Sequence, residues 1–550
     1  MKSLPLLFAV SVVLWLSSSP LVAGGAEPIQ VFLFLGQSNM EGGDAHAHQI
    51  DDYPPFVGAG AEQKDVRYSY YVNAGEDRDW TSLAAVGGGF GPELTFAREW
   101  KQHIDAPLAI IKCAIGGTTI AHDWNPASPP EGQQLFRRSI DHVRACLESL
   151  RKKGKTFELR ALFWHQGEND MLSAELNPHY EERLTQLITA YRRELEAPEL
   201  DWFVAEISDK GIWGMDHRRY MRTVREQQRK VVAADDHVYW IPTSHLAFEV
   251  MGSGQPHYHF GTQGQLQQGV AYAKAYLELH DLPSTKRKPR PVRLKKSSEP
   301  LRVYLLAGGR CVEGEDAFVA ELKGSEGKLA AGLDSVLYRA FLGGGSYRSN
   351  EWEVLRAVEH LGNFGPELTL AKSLENGKGG QVALLKITDS ASLTSDWDPT
   401  GEDANRPIFE HAVAFVREAL ADLDERGIEY QLEGVFWHHG GNESYYSPFR
   451  AKHAERLQRL IAGVRDSLDA PELPWTIAMQ SDKAPWGEEQ VAALNLSLRG
   501  LAEADPFTHV FDPSSLPHAR IHFGTQGTLE LGERFAAEFD AKFVKKKRRR

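Results

Sequence analysis

The stretch VFLFLGQSNMEG, residues 31–42, carries the clearest fold signal in this chain. A continuous apolar run ends there at a turn of small and polar residues, Gly36 to Asn39. Continuous apolar runs are typical of strands that are buried on both faces of a parallel sheet. Ser38 is therefore predicted at the carboxyl end of a buried strand. Taken alone, a serine at such a position is either a nucleophile or a polar turn residue.

The first half of the chain contains four further apolar runs of the same kind: LAIIKC (108–113), RALFW (160–164), WFVAE (202–206) and HVYWI (237–241). Helical patterns lie between them. In residues 135–152 the apolar positions recur every three or four residues, which places them on one helical face. Strands that alternate with helices predict an α/β fold of three layers, with parallel sheets that bind ligands beyond the carboxyl ends of their strands.

The second half of the chain repeats the first. Five motifs return in the same order: GGFGPELTFA (88–97) as GNFGPELTLA (362–371), HDWNP (122–126) as SDWDP (395–399), ALFWHQGEND (161–170) as GVFWHHGGNE (434–443), EAPELDWFVAEISDKGIWG (196–214) as DAPELPWTIAMQSDKAPWG (469–487), and HFGTQG (259–264) as HFGTQG (522–527). Chance does not produce this agreement in this order. The chain is therefore predicted to be a tandem duplication of a whole domain.

The ends and the middle of the chain have the composition of processing and linking segments. A short apolar core after Lys2, followed by small residues, predicts a signal peptide over 1–26 and hence a secreted or periplasmic protein. A stretch rich in proline, serine and basic residues predicts a linker over 283–300. The two domains are then 27–282 and 301–544, and a basic tail occupies 545–550.

The bulk composition excludes several classes of protein. The chain has 550 residues, of which 42% are hydrophobic and 25% charged, as expected of two large soluble domains. Its net charge of -13 argues against general nucleic-acid binding. Three cysteines are too few for a disulfide framework. A Cys113–Cys146 bridge stays open in an oxidising compartment, but buried free thiols are expected. After the signal peptide, no segment is apolar enough to cross a membrane.

Residues able to do chemistry follow the other strand ends and precede the last helix: Gly116, Gly117, Gln166, Glu168, Asn169, His257 and His259. Backbone N–H groups at a glycine pair allow close approach of a ligand. Amide side chains donate to an oxyanion, and a carboxylate accepts from an imidazole. These are the groups that acyl transfer to a serine requires.

Three of these motifs, GQSNM (36–40), WHQGE (164–168) and HFGTQG (259–264), resemble those of the SGNH hydrolase superfamily. Within it, they resemble the sialate O-acetylesterase domain and carbohydrate esterase family six, which includes acetylxylan esterases. The resemblance implies two flavodoxin-like α/β/α domains. It also implies removal of acetyl esters from sugars, with neither a metal nor a cofactor.

The resemblance also assigns roles. It makes Ser38 the nucleophile and His259 the general base. The oxyanion hole would be formed by the backbone N–H groups of Ser38 and of one glycine of Gly116-Gly117, together with the Gln166 amide. Asn169 is an alternative donor, because GEND also fits the superfamily's third motif.

One position departs from the family pattern. The family usually has an aspartate three residues before the histidine, where this chain has Pro256. Some members use the glutamate of HQGE, so Glu168 is the predicted acid. A Ser-His dyad, or an acid elsewhere such as Asp170, stays open.

The two copies differ at the positions that matter for this chemistry. In the second copy, Arg310 replaces Ser38, Ser390-Ala391 replaces Gly116-Gly117, His439 replaces Gln166 and Gly441 replaces Glu168. Because these residues are lost together, they are predicted to form one site in the first copy. His522 is an exception, since it is retained in a copy that has no nucleophile. The second domain is therefore predicted to be a degenerate pseudoesterase that packs on the first or binds glycan.

We expect a secreted carbohydrate O-acetylesterase whose partner is an acetylated polysaccharide or glycan. Three alternatives remain open at this point. The chain could be a non-catalytic carbohydrate-binding protein, a serine esterase for lipid or aryl esters, or a metal-dependent hydrolase that uses the ligand-like spacing of His257 and His259.

Overall fold

The computed structural model describes residues 27–127, 132–208, 218–248, 259–283, 299–357, 361–378, 381–390, 392–445, 447–483, 487–519 and 522–544. The predicted signal peptide, most of the predicted linker and the basic tail lie outside these ranges, as do Pro256, His257 and Ala391.

The first domain is a twisted sheet with helices on both faces. Its strands are β1 Ile29–Gly36, β2 Gln63–Val72, β3 Gly75–Leu83, β4 Leu108–Ala114, β5 Phe157–His165, β6 Asp201–Ala205 and β7 Val238–Ile241. Its helices are α1 Ser38–Glu41, α2 Glu93–His103, α3 Leu135–Lys152, α4 Glu168–Met171, α5 Tyr180–Glu194, α6 Arg218–Ala234 and α7 Gly261–Leu279.

The strand order, among the described residues, is β3-β2-β4-β1-β5-β6-β7. All neighbours are parallel except β2 and β3, which form an antiparallel hairpin at the edge. Without this hairpin the order β4-β1-β5-β6-β7 is the flavodoxin-like order 2-1-3-4-5. The structure thus confirms the predicted α/β fold class and adds an antiparallel edge to it.

The central strands are buried because their apolar side chains face helices on both sides. Every residue of β1 and β4 is buried. One core cluster packs α3 and α5 on one face of the sheet, and another packs α2 and α7 on the opposite face. This two-sided burial is the physical reason for the unbroken apolar runs in the sequence.

The second domain repeats this architecture. Its strands are β8 Leu301–Gly308, β9 Leu333–Leu342, β10 Tyr347–Arg348, β11 Glu353–Leu355, β12 Val382–Thr388, β13 Tyr430–His438, β14 Trp475–Ala478 and β15 Thr508–Phe511. Its helices are α8 Arg310–Glu313, α9 Gly324–Ala331, α10 Glu367–Lys378, α11 Thr394–Trp397, α12 Ile408–Glu425, α13 Gly441–Tyr445, α14 Ser447–Ser467, α15 Glu488–Ala504 and α16 Thr525–Phe539. The order β9-β12-β8-β13-β14-β15 matches the first sheet, and β10 and β11 pair antiparallel with β9.

Motifs that both copies share have structural roles. Glu93 of the first copy forms a buried ion pair with Lys112, and Glu367 forms the same pair with Lys386 in the second. Asp123 accepts hydrogen bonds from backbone N–H groups of its own loop. These contacts explain why the motifs persist in both halves.

The two domains touch along the segment that leads into α7. Hydrogen bonds between described residues join them: Arg310 Nη1 donates to the Phe248 carbonyl at 3.1 Å, Gln263 Nε2 to the Glu315 carbonyl at 2.9 Å, and Gln267 Nε2 to Asn363 Oδ1 at 3.0 Å. Leu361 of the second domain packs against a small apolar cluster of the first that includes Phe248 and Phe260.

Candidate active site

Three strand ends meet at one edge of the first sheet. Gly36 at the end of β1 pairs with Ala114 of β4 and with His165 of β5. The residues that follow each strand are therefore neighbours in space. The structure thus brings together Ser38, Gly116 and Gln166–Asn169, as the sequence predicts.

Ser38 is the first residue of α1 and is half-buried. A side chain on Gly116 would lie 3.3 Å from the Ser38 Cβ, so the absence of one leaves the approach to the serine open. Within the described part of the chain, neither the hydroxyl nor the backbone N–H of Ser38 has a hydrogen-bond partner. The hydroxyl and the N–H of Ser38 are therefore available to a ligand.

His259 lies on the other side of this turn. A Cβ on Gly43 would come within 2.8 Å of the His259 ring, and the Gly43 N–H donates to the Ser38 carbonyl at 2.8 Å. The imidazole therefore packs against the turn that carries the serine.

Asp44 is the acid that contacts His259. Its Oδ2 lies 2.7 Å from His259 Nδ1, and its backbone is left-handed with a φ of 59°. Aspartate tolerates that conformation better than most residues. A carboxylate on Nδ1 fixes the ring so that Nε2 is the proton acceptor.

The sequence prediction of the acid did not include Asp44. A signal for it was present, because EGGDA (41–45) returns in the second copy as EGEDA (313–317). The pair itself also returns, since His522 Nδ1 lies 3.1 Å from Asp316 Oδ2. Both copies therefore keep an aspartate-histidine pair at the same place.

Glu168, the predicted acid, has other partners. Its Oε1 accepts a hydrogen bond from Asn39 Nδ2 at 2.6 Å and lies 3.4 Å from His165 Nε2. Burial raises the pKa of the Glu168 carboxyl, but His165 and Asn39 outweigh this and leave the pKa below its ordinary value. The structure does not bring this carboxylate to His259.

Glu168 nevertheless contacts the backbone next to His259 indirectly, through Asn39. Asn39, held by Glu168, accepts a hydrogen bond at its Oδ1 from the N–H of Phe260 at 3.2 Å. Phe260 directly follows His259. The buried glutamate therefore orients an amide that fixes the backbone beside the imidazole.

Gln166, a predicted oxyanion donor, is committed elsewhere. It is fully buried, and its Nε2 donates to Asp170 Oδ2 at 2.6 Å and to the Thr118 carbonyl at 3.0 Å. Asp170, the other acid left open, also accepts the Ile120 N–H at 2.8 Å. Both side chains stabilise the loop after β4, and Gln166 Nε2 also lies 3.2 Å from the side-chain amide of Gln37, the residue before Ser38.

Asn169 and Gly117 are better placed to donate. The Asn169 amide hydrogen-bonds at 2.9 Å with the amide of Gln37, the residue before Ser38. Gly117 is exposed and has a φ of 74°, which explains the glycine. The Gly116 N–H donates to Glu41 Oε2 at 2.9 Å, so an incoming oxyanion would have to displace this carboxylate.

The structure describes all three cysteines, of which Cys113 and Cys146 are buried. All three thiols are free, and burial raises the pKa of Cys311 to about 12. Among the described residues, no helix is both long and apolar enough to span a bilayer. The same residues contain no cluster of three or more histidine, cysteine or acidic side chains that could hold a metal.

Comparison with known proteins identifies the family. A family model described as carbohydrate esterase, sialic acid-specific acetylesterase, matches residues 28–278 and 348–541. The chain belongs to this family. The match confirms the resemblance inferred from the three motifs, and its presence in both halves agrees with a tandem duplication.

The individual relatives align with about half of this chain. A probable carbohydrate esterase from Arabidopsis thaliana is 26% identical over 279 residues, which are 47% of this chain and 94% of that protein. A carbohydrate acetylesterase structure from Xanthomonas citri is 16% identical, covers 44% of this chain and 57% of its own, and has a TM-score of 0.33. The structure of NanS is 13% identical, covers 46% and 99%, and has a TM-score of 0.37.

Proposed function

We propose that the first domain hydrolyses acetyl esters on a carbohydrate, with Ser38 as the nucleophile. The observation that carries this proposal is the Asp44–His259 pair, which packs against the turn that presents an unpartnered Ser38 hydroxyl. Membership of the carbohydrate esterase family supports the class of substrate.

The reaction has two half-reactions. Ser38 Oγ attacks the acetyl carbonyl carbon while His259 Nε2 takes the hydroxyl proton, and Asp44 stabilises the imidazolium that forms. The tetrahedral intermediate collapses, the carbon–oxygen bond to the sugar breaks, and His259 returns its proton to the sugar oxygen. Water then attacks the acetyl-serine with His259 as the base, which frees acetate and restores Ser38.

The developing oxyanion needs preorganised donors. The Ser38 N–H is available, and the Asn169 amide and the Gly116 or Gly117 N–H lie at the same edge of the sheet. Gln166, which is committed to Asp170, is assigned to support of the site. Glu168 is assigned as a positioning residue that acts through Asn39.

In this proposal the protein is exported, with cleavage of the signal peptide. It acts on an acetylated polysaccharide or glycan without a cofactor. Its chemistry is complete with a hydroxyl, an imidazole, a carboxylate and hydrogen-bond donors. Activity should therefore survive exhaustive chelation.

The test is acetate release from acetylated xylan, O-acetylated sialic acid and 4-nitrophenyl acetate. We expect Ser38→Ala to lower kcat by about a thousandfold or more. Ser149→Ala, a change of another half-buried serine on α3, should match the wild type. Full activity of Ser38→Ala would contradict the mechanism. A wild-type protein that is silent on all three esters would instead favour a carbohydrate-binding function.

Activity only on 4-nitrophenyl acetate and lipid esters would keep the serine mechanism and reject the carbohydrate substrate. Loss of activity on chelation would reject the metal-independent mechanism.

A further inference from the structure

The second domain has a cavity at the place that corresponds to the Ser38 site. It measures about 480 Å³, part of it open to solvent. Its lining includes residues that follow β8, β12 and β13 and the histidine before α16: Arg310, Ser390, His439 and His522. The loss of the nucleophile therefore did not fill this end of the fold.

Four residues of the lining each carry a buried polar atom without a hydrogen-bond partner among the described residues: Arg310 Nε, Ser390 Oγ, His439 Nδ1 and His522 Nε2. Each of these side chains belongs to a residue that is more than nine-tenths buried. A buried polar atom without a hydrogen-bond partner destabilises the fold. Four around one cavity indicate that a ligand supplies the missing hydrogen bonds.

Each of the two histidines has one ring nitrogen with a hydrogen-bond partner. That partner determines whether the other ring nitrogen is a donor or an acceptor. His522 Nδ1 faces the Asp316 carboxylate at 3.1 Å, so Nδ1 carries the proton and Nε2 is an acceptor. Ser392 Oγ donates to the Asp389 carbonyl at 2.6 Å and therefore accepts from His439 Nε2 at 3.0 Å. In this tautomer His439 Nδ1 is also an acceptor, and the Glu443 Oε1 that faces it lies 3.7 Å away, beyond hydrogen-bond distance.

Burial lowers the pKa of His439 and outweighs the opposing effect of the Glu443 carboxylate, which favours the neutral ring. The four unpartnered atoms are thus two acceptors, one N–H donor and one hydroxyl that does both. A carboxylate or phosphate offers acceptors only and would face the two ring lone pairs. An apolar ligand would leave all four atoms unsatisfied.

A sugar ring offers hydroxyl groups that each donate and accept. We propose that the cavity of the second domain is a non-catalytic binding site for a neutral pyranose, whose hydroxyls pair with Arg310, Ser390, His439 and His522. No ester is cleaved there, because Arg310 occupies the position of Ser38. The Cys311 thiol, also in the lining, stays protonated. With a first domain that acts on carbohydrate, such a site would hold the same polymer at two points and raise its effective concentration.

The test follows the ring-proton NMR signals of His439 and His522 in the full chain, assigned with His439→Gln and His522→Gln. The probes are methyl β-D-xylopyranoside and sodium acetate. We expect a saturable shift of both signals with the glycoside and none with acetate. No shift with the glycoside, or a saturable shift with acetate alone, overturns the proposal.

A matched pair of serine variants separates binding from folding. Ser390 and Ser395 both carry a buried hydroxyl without a partner, but only Ser390 lines the cavity. Ser390→Ala should weaken the glycoside by about three- to tenfold, whereas Ser395→Ala should leave its affinity unchanged. Equal effects of the two variants overturn the proposal. These signals report on the second domain alone, so the result stands whether or not the first domain releases acetate.

Discussion

At the scale of single residues, the site depends on which carboxylate meets His259. Asp44 does so directly, at 2.7 Å, whereas Glu168 is buried one step away and acts through Asn39. Asp44 and Glu168 are therefore expected to have different roles. One stabilises the imidazolium, and the other holds the backbone that carries it.

Asp44→Asn should lower kcat for acetate release by about a hundredfold to ten-thousandfold, because the amide no longer stabilises the protonated ring. Glu168→Gln should cost about tenfold or less, since its amide oxygen still accepts from Asn39. Steady-state kinetics on one soluble acetyl ester compares them, with the exposed neighbour Asp52→Asn as the control. The reverse ranking would return the acid role to Glu168.

Asp170 predicts a pH dependence of stability. Burial raises its pKa from 3.8 to about 6, in spite of hydrogen bonds from Gln166 and Ile120. The native state thus binds a proton between about pH 4 and about pH 6 that the unfolded state has released. The favourable contribution of this proton is present below that window and is lost as the pH rises through it.

Urea unfolding of the wild type and of Asp170→Asn across this window measures the effect. The free energy of unfolding of the wild type, relative to the variant, should fall by up to about 3 kcal/mol from the acid to the neutral end. A difference that stays constant with pH would show that the carboxyl titrates normally.

At the scale of elements, the turns after β1 and β4 form the floor of the site together. The Cβ that Gly116 lacks would meet Glu41 Oε2 at 3.2 Å and Ser38 Cβ at 3.3 Å. These distances are tighter than ordinary van der Waals contact. The serine turn and the glycine turn therefore fit together only because one of them has no side chain.

Gly116→Ala should lower kcat by about tenfold to a hundredfold, because the methyl group displaces Ser38 from its geometry. The thermal midpoint should change little, since the position is half-buried and its φ is ordinary. Gly89→Ala is the control, because its nearest contact would be at 3.6 Å. Equal activity of the two variants would refute the close fit.

At the scale of the whole molecule, the second domain supports the first. Arg310, at the position that corresponds to Ser38, donates to the Phe248 carbonyl and forms a buried ion pair with Glu315. Leu361 covers the cluster that contains Phe260, the residue after His259. The second domain thus contributes packing to the segment that carries the proposed base.

Leu361→Ser should therefore lower the acetate-release rate of the first domain, by about two- to tenfold, although it lies in the second. Loss of a buried leucine contact loosens Phe260, and amide hydrogen exchange over 259–266 should become faster. Leu496→Ser, at a leucine that is 71% exposed, is the matched control. Unchanged kinetics in Leu361→Ser would show that the interface does not act on the base.

Most of the scaffold could be predicted from the sequence, because buried strands and helices have characteristic patterns of apolar residues. Strands β1 and β4 to β7 appear where unbroken apolar runs stand, and α3 spans 135–152 as its spacing predicts. The β2–β3 hairpin was not predicted, since an edge hairpin with many exposed positions has no continuous apolar run. The α/β class and the duplication were therefore readable from local pattern alone.

The amino-acid sequence by itself determined the two α/β domains, the meeting of three strand ends and the family motifs that mark Ser38 and His259. Only the tertiary structure decided which acid serves the histidine. Asp44 lies 215 positions before His259, in a loop with no periodic pattern. Burial is encoded in local patterning and survives in the sequence, whereas the direction of a side chain at a strand end depends on loops that meet only when the chain has folded.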